Sequence, residues 1–153
     1  SLKLQVNGAD KLVAFFTKSI SDSQRAVARG TTKAAFILQG AARQKLQKPP
    51  KSGALRKRGR KNHRASAPGE APATDTGNLV RSIKVVAAQP GLFPQALVTV
   101  GTEYALALEF GTKRSGRKRN TVIAERPFMR PSVREQSKAM SDAILAEIRG
   151  RRK

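Results

Sequence analysis

The chain has 153 residues, enough for one domain with one core. With no Cys and a single His, a disulfide framework, a thiol nucleophile and a thiolate metal site are excluded. The 31 Lys and Arg against 10 Asp and Glu leave a net charge of +21, a self-repulsion that a polyanion would offset.

In chain order, Leu2 to Val6 alternates apolar and polar and predicts a short strand, broken by Asn7-Gly8. Ala9 to Lys18, with Leu12, Val13, Phe15, Phe16 and the following Ile20 at helical spacing, predicts a first helix. Ser21-Asp22-Ser23 has the composition of an N-cap, so a second, longer helix is expected from Ser23 to Gln47. Its apolar members include Val27, Ala34, Phe36, Ile37, Leu38, Ala42 and Leu46. Gly30 and Gly40 lie inside it, and each costs about 1 kcal/mol relative to Ala, so close packing or a bend is expected there. Pro49-Pro50 stops the helix.

From Lys51 to Thr76 apolar periodicity disappears, and no acid occurs between Asp22 and Glu70. The segment holds Lys51, Arg56, Lys57, Arg58, Arg60, Lys61 and Arg64 and is expected to be a long structureless basic arm. Asn78 to Ala88 is rich in β-formers, with Leu79, Arg81, Ile83 and Val85 on one face. Gln89-Pro90-Gly91 marks a turn, and Gln95 to Thr102 alternates again, so the two runs predict an antiparallel hairpin. Tyr104 to Phe110 fits a short helix or an edge strand, closed by Gly111. Lys113 to Asn120 is a second basic loop, carrying Lys113, Arg114, Arg117, Lys118 and Arg119. Arg126 to Pro131 is a stiff connector, and Pro131 suits the first turn of a last helix. That helix reaches about Arg149, with Val133, Met140, Ile144, Leu145 and Ile148 along one stripe, and residues 149–153 form a basic tail.

The order predicts a single α+β domain over 1–153: an antiparallel sheet packed against a long N-terminal helix and a C-terminal helix, with long basic loops. The six Phe and the single Tyr104 sit inside apolar runs, which places them in the core. A single-strand nucleic-acid binder carries aromatic stacking platforms, so the cations point instead to phosphate-backbone contact without base readout. Reactive groups do not converge. His63 stands alone in the basic arm, and Ser66 has no relay on an ordered scaffold. Glu103 and Glu109 are each expected to pair with a nearby cation. No phosphate-cradling or dinucleotide motif occurs, so no catalytic residue, metal or cofactor is expected. No apolar run is long enough to span a membrane, and SLKLQVNG lacks a signal pattern.

Five fragments follow one another in order: Ser66-Ala67-Pro68-Gly69-Glu70-Ala71-Pro72; Asp75-Thr76-Gly77-Asn78-Leu79-Val80-Arg81-Ser82-Ile83; Gly101-Thr102-Glu103-Tyr104-Ala105; Leu108-Glu109-Phe110-Gly111-Thr112; and Arg126-Pro127-Phe128-Met129-Arg130-Pro131. This series resembles the tailed-bacteriophage morphogenesis family of head–tail connector and tail-completion (neck) proteins, with a likeness spanning about Gly8 to Glu147. The resemblance implies a non-enzymatic virion component, assembled in the bacterial cytoplasm. It would form a ring, hexameric by that likeness, through which genomic DNA passes. Its partners would be further copies, other neck proteins, portal-side and tail-tube proteins, and DNA held without sequence preference. In physical terms the fragments would shape the fold. Thr76-Gly77 would give a tight turn into a strand, with Gly tolerating a positive φ. Tyr104 would pack its ring, and Glu109-Phe110-Gly111-Thr112 would combine an exposed carboxylate, a buried ring and a turn. Pro127 would drop Phe128 into the core. The rival readings are a free, sequence-independent nucleic-acid-binding protein and, on weaker grounds, a nuclease or peptidoglycan hydrolase.

Overall fold

The computed structural model describes residues 8–48, 51–115 and 121–150, and only the backbone at 58, 61, 115 and 121. The expected strand at Leu2–Val6, the Pro49-Pro50 pair, Arg117, Lys118 and Arg119, and the end of the basic tail lie outside the described residues.

A single helix, α1 (Ala9–Gln47), replaces the two helices expected. Ser21-Asp22-Ser23 does not cap a new helix. The Ser23 hydroxyl donates to the Ser19 carbonyl one turn back (2.9 Å), and Asp22 pairs with Arg25 one turn ahead. Both side chains therefore serve a continuing helix, which at about 1.5 Å per residue is roughly 58 Å long. The helix ends where the sequence predicts, with Lys48 extended (ψ 117°), as suits a residue before proline.

After α1 comes an antiparallel ribbon of β1 (Leu55–Arg58) and β2 (Lys61–Arg64). The expected structureless arm is thus ordered in its central part. Gly59 turns the chain with a φ of 59°, and the Gly53–Ala65 and Ala65–Ala54 backbone bonds prolong the ladder at its base. Such a ribbon is polar on both faces, which leaves no apolar alternation to detect.

The strand expected over Asn78–Ala88 is in fact a one-turn helix, α2 (Asn78–Ser82), followed by β3 (Ile83–Val86). Gly77 does adopt the positive φ expected (76°), but it opens a helix. The Arg81 amide donates to the Gly77 carbonyl, and its guanidinium donates to the Thr76 carbonyl and the Asn78 side chain. Tertiary burial of Val80 overrides the β preference of the stretch. β3 pairs antiparallel with β4 (Leu97–Val100), as predicted, and Ile83 faces Val100 while Val85 faces Val98. Next come α3 (Ala105–Phe110), which resolves the helix-or-strand ambiguity, then β5 (Thr112–Ser115), β6 (Thr121–Ile123) and α4 (Met129–Arg149). The fold is α+β, with small antiparallel two-stranded sheets in place of one sheet.

α4 runs antiparallel along α1. Lys45 reaches Glu135 at one end (2.7 Å), and Arg29 and Lys33 both reach Glu147 at the other. A Cβ on Gly30 would lie 2.8 Å from the Ile144 Cα, so the two helices approach closely at this glycine. The β3–β4 pair packs on another side of α1, where Gln39 and Arg43 both donate to the Ile83 carbonyl (2.8 and 2.7 Å). Phe128, 1% exposed, fills the centre of the core with Ala42, Leu46, Val80 and Ile83. Its replacement by Ala should cost about 3–5 kcal/mol.

Candidate assembly interface and basic surface

The five motif fragments, spread over residues 66–131, form one interlocked block. The Arg126 amide donates to the Leu108 carbonyl and the Gly69 amide to the Glu125 carbonyl. The Arg126 guanidinium reaches the Ser66 carbonyl (3.3 Å), and the Gly101 amide reaches that of Ser82 (3.1 Å). Leu79, Tyr104 and Leu108 share one small cavity of about 220 Å³ with the Asp75-Thr76-Gly77 turn. Gly111 (φ 70°) brings α3 so close to the 123–125 segment that a Cβ would stand 3.0 Å from the Ile123 carbonyl oxygen.

Two acids hold this block. Glu109, expected exposed, is only 5% exposed, and Phe110, expected buried, is 61% exposed. The reason lies in the start of α4, which has no local side-chain cap. The Glu109 carboxylate accepts the amides of Phe128, Met129 and Arg130 at 2.8, 3.0 and 2.8 Å, and Pro131 has no amide to satisfy. The unpaired donors of the helix N-terminus are thus all accounted for. Burial pushes the Glu109 carboxyl up, but these three amides and the Arg130 guanidinium outweigh it and hold the group below its ordinary value. Phe110 is left outside, its ring under the Arg130 guanidinium at 4.8 Å. Glu70 works in the same way on the loop, where it accepts the Ser52 hydroxyl and the Ala67 and Ser52 amides. Led by the Ser52 hydroxyl, these bonds lower its carboxyl to about 2.

The basic residues divide by environment. Arg56, Lys57, Arg60 and Arg64 are exposed on the ribbon, and Arg64 also donates to the Gly53 carbonyl (3.3 Å). Arg58 stands opposite Lys61 in the register and Arg56 opposite His63. Lys51 is different: it is half-buried, donates to the Lys45 carbonyl (3.2 Å), and is pushed down chiefly by burial. Lys113 and Arg114 are exposed on β5 rather than in a loop. Among the described residues no three His, Cys, Asp or Glu side chains gather as a metal site, and no helix is long and apolar enough to cross a membrane.

The aromatic residues depart furthest from expectation. Of the six Phe only Phe128 is buried. Phe15, Phe16, Phe36, Phe93 and Phe110 are each more than half exposed, as are Leu12, Val13 and Ile20. The first turns of α1 extend beyond the end of α4, and none of the described residues before Ala26 is buried. The sequence carried the signal in another form, since Leu12, Val13, Phe16 and Ile20 fall on one stripe about 100° wide. Periodicity records a stripe without saying whether the chain itself covers it. No protein-family model, curated protein or solved structure matches this chain.

Proposed function

We propose that this chain is a structural subunit of a tailed-phage neck, a non-enzymatic protein that assembles as a closed ring around the DNA channel at the head–tail junction. The reading starts from the five ordered fragments. The observation that carries it is their convergence: residues far apart in sequence form one hydrogen-bonded block around Glu109 and Phe128, as a shared scaffold requires. Two further features support it. Large apolar side chains stay exposed on an otherwise highly charged chain, which suits a subunit completed by its neighbours. The exposed cations of the β1–β2 ribbon suit weak contact with phosphates, independent of sequence, past which a genome can slide.

Native mass measurement and negative-stain imaging of the purified chain test the reading. The expected result is a ring of fixed subunit number, hexameric by the resemblance, with weak duplex affinity, and the same chain present in purified phage particles. A monomer whose DNA affinity falls steeply with salt would make it a free nucleic-acid-binding protein instead. Substrate turnover by the purified chain would overturn the non-enzymatic assignment.

A further inference from the structure

Resting on the association of copies in that reading, we infer that the projecting start of α1 is an assembly arm that seats in an apolar groove on the next copy of the same chain.

The arm is the Ala9–Ser21 part of α1. Leu12, Val13, Phe16 and Ile20 form its apolar stripe, with Phe15 at the edge, and each is more than half exposed. Asp10, Lys11 and Lys18 fall on the other side of the helix, so the stripe itself is uncharged. Its exposed apolar area is on the order of 500 Å². A contiguous exposed apolar patch of that size is of the kind that marks an interaction site. The polar side carries two lysines and an aspartate, not the Lys/Arg-rich face of a helix that lies on a membrane. A nucleic acid would leave the stripe uncovered, so a protein surface is the fitting occupant.

The same molecule offers one. Ala28, Phe36, Ala88 and Pro90 line an open, mainly apolar groove of about 450 Å³, with Arg25 and Arg29 among its borders. The groove is fixed in place by the Ala88 amide, which donates to the Thr32 hydroxyl (2.9 Å). Phe36 in its lining is 55% exposed, as is Phe16 on the arm. The border cations already pair within the chain, Arg25 with Asp22 and Arg29 and Lys33 with Glu147, so the uncharged stripe meets a groove whose rim charges are offset.

The relative placement of arm and groove decides how copies join. Phe36 lies twenty residues after Phe16 on one unbroken helix, which puts it about 30 Å along the axis and about 160° around it. A straight helix cannot fold its own start into that groove. Donor and acceptor are different surfaces on opposite sides, so the contact is head-to-tail, the type that closes into rings.

Phe16→Glu and Phe36→Glu test this, since both positions are exposed and neither substitution touches the core. Circular dichroism should stay unchanged for both. By native mass and sedimentation at about 0.15 M salt, the unmodified chain should form a closed oligomer and each variant alone should be a monomer. An equimolar mixture of the two should give a dimer and stop there. The arm of Phe36→Glu still fits the groove of Phe16→Glu, while the reverse contact is blocked. A mixture that stays monomeric, or variants that keep the full oligomer, overturn the arm-and-groove contact. In the second case the neck reading stands with a different interface. A wild-type monomer that binds lipid vesicles through the stripe also overturns it. An arm-dependent oligomer absent from phage particles keeps the contact and overturns the neck reading.

Discussion

Glu109 and Arg130 hold one another in both directions. The Glu109 carboxylate accepts the Arg130 amide at 2.8 Å, and the Arg130 guanidinium donates back to the Glu109 backbone carbonyl at 2.7 Å. The end of α3 and the start of α4 are thereby closed into one unit, with the negative carboxylate at the positive end of the α4 dipole. Glu109→Ala would strand three backbone amides in a buried place and should cost about 2–4 kcal/mol. Glu109→Gln keeps one acceptor oxygen and should cost less. Urea denaturation of the two variants checks both size and order.

Acid should weaken the fold through the same kind of contact. The Glu70 and Glu109 carboxyls are both depressed in the folded chain, Glu70 from an ordinary 4.5 to about 2. The unfolded chain therefore binds more protons at low pH. The stability from each group is complete above its ordinary value and is lost as pH falls through its depressed folded value, about 2 for Glu70. Urea midpoints from about pH 7 down to about pH 3 should fall in this window. Glu70→Gln should flatten the acid side of the profile.

The two glycines inside α1 should respond to Ala with opposite signs. At Gly30 a Cβ would stand 2.8 Å from the Ile144 backbone, so Gly30→Ala forces α4 away from α1. A loss of about 1–3 kcal/mol is expected. At Gly40 nothing lies within 4 Å, and Gly40→Ala should gain up to about 1 kcal/mol from helix propensity alone. Thermal melts of the pair provide the comparison.

Replacing Arg56, Lys57, Arg58, Arg60 and Lys61 together by Gln should leave the melting temperature nearly unchanged, because Arg56, Lys57 and Arg60 are exposed. The salt dependence of duplex DNA binding should flatten, by about 0.9 in log–log slope for each phosphate that the ribbon no longer neutralises. In a phage background, head–tail joining or DNA retention should suffer. Unchanged particle yield and retention would count against a role for the ribbon in assembly.

Much of the architecture was legible in the sequence, because its signals are local. α1 ends at Gln47 just before the proline pair of the sequence, Gly111 ends α3, Pro131 sits in the first turn of α4, and the β3–β4 pairing follows from period-two alternation. What was missed depends on contacts made elsewhere. The β1–β2 ribbon has no apolar face, and α2 is shaped by the burial of Val80 and by the Arg81 guanidinium bound to the Thr76 carbonyl. The exchange of places between Glu109 and Phe110 follows from the uncapped amides of α4, some twenty residues away. Of the candidate site, the cations on the ribbon were visible as composition. The arm was visible only as a stripe, and its exposure depends on where α4 stops.

The continuity of α1 has a mechanical consequence. One rod carries Phe16 in its first turns and Leu46 in the core, thirty residues and about 45 Å apart. Without a hinge at Ser21-Asp22-Ser23, a load on the tip is delivered as leverage to the hydrophobic centre around Phe128. A subunit gripped by its arm would tilt as a whole instead of bending, so a collar of such subunits would be stiff against twist and would pass torque from one layer to the next.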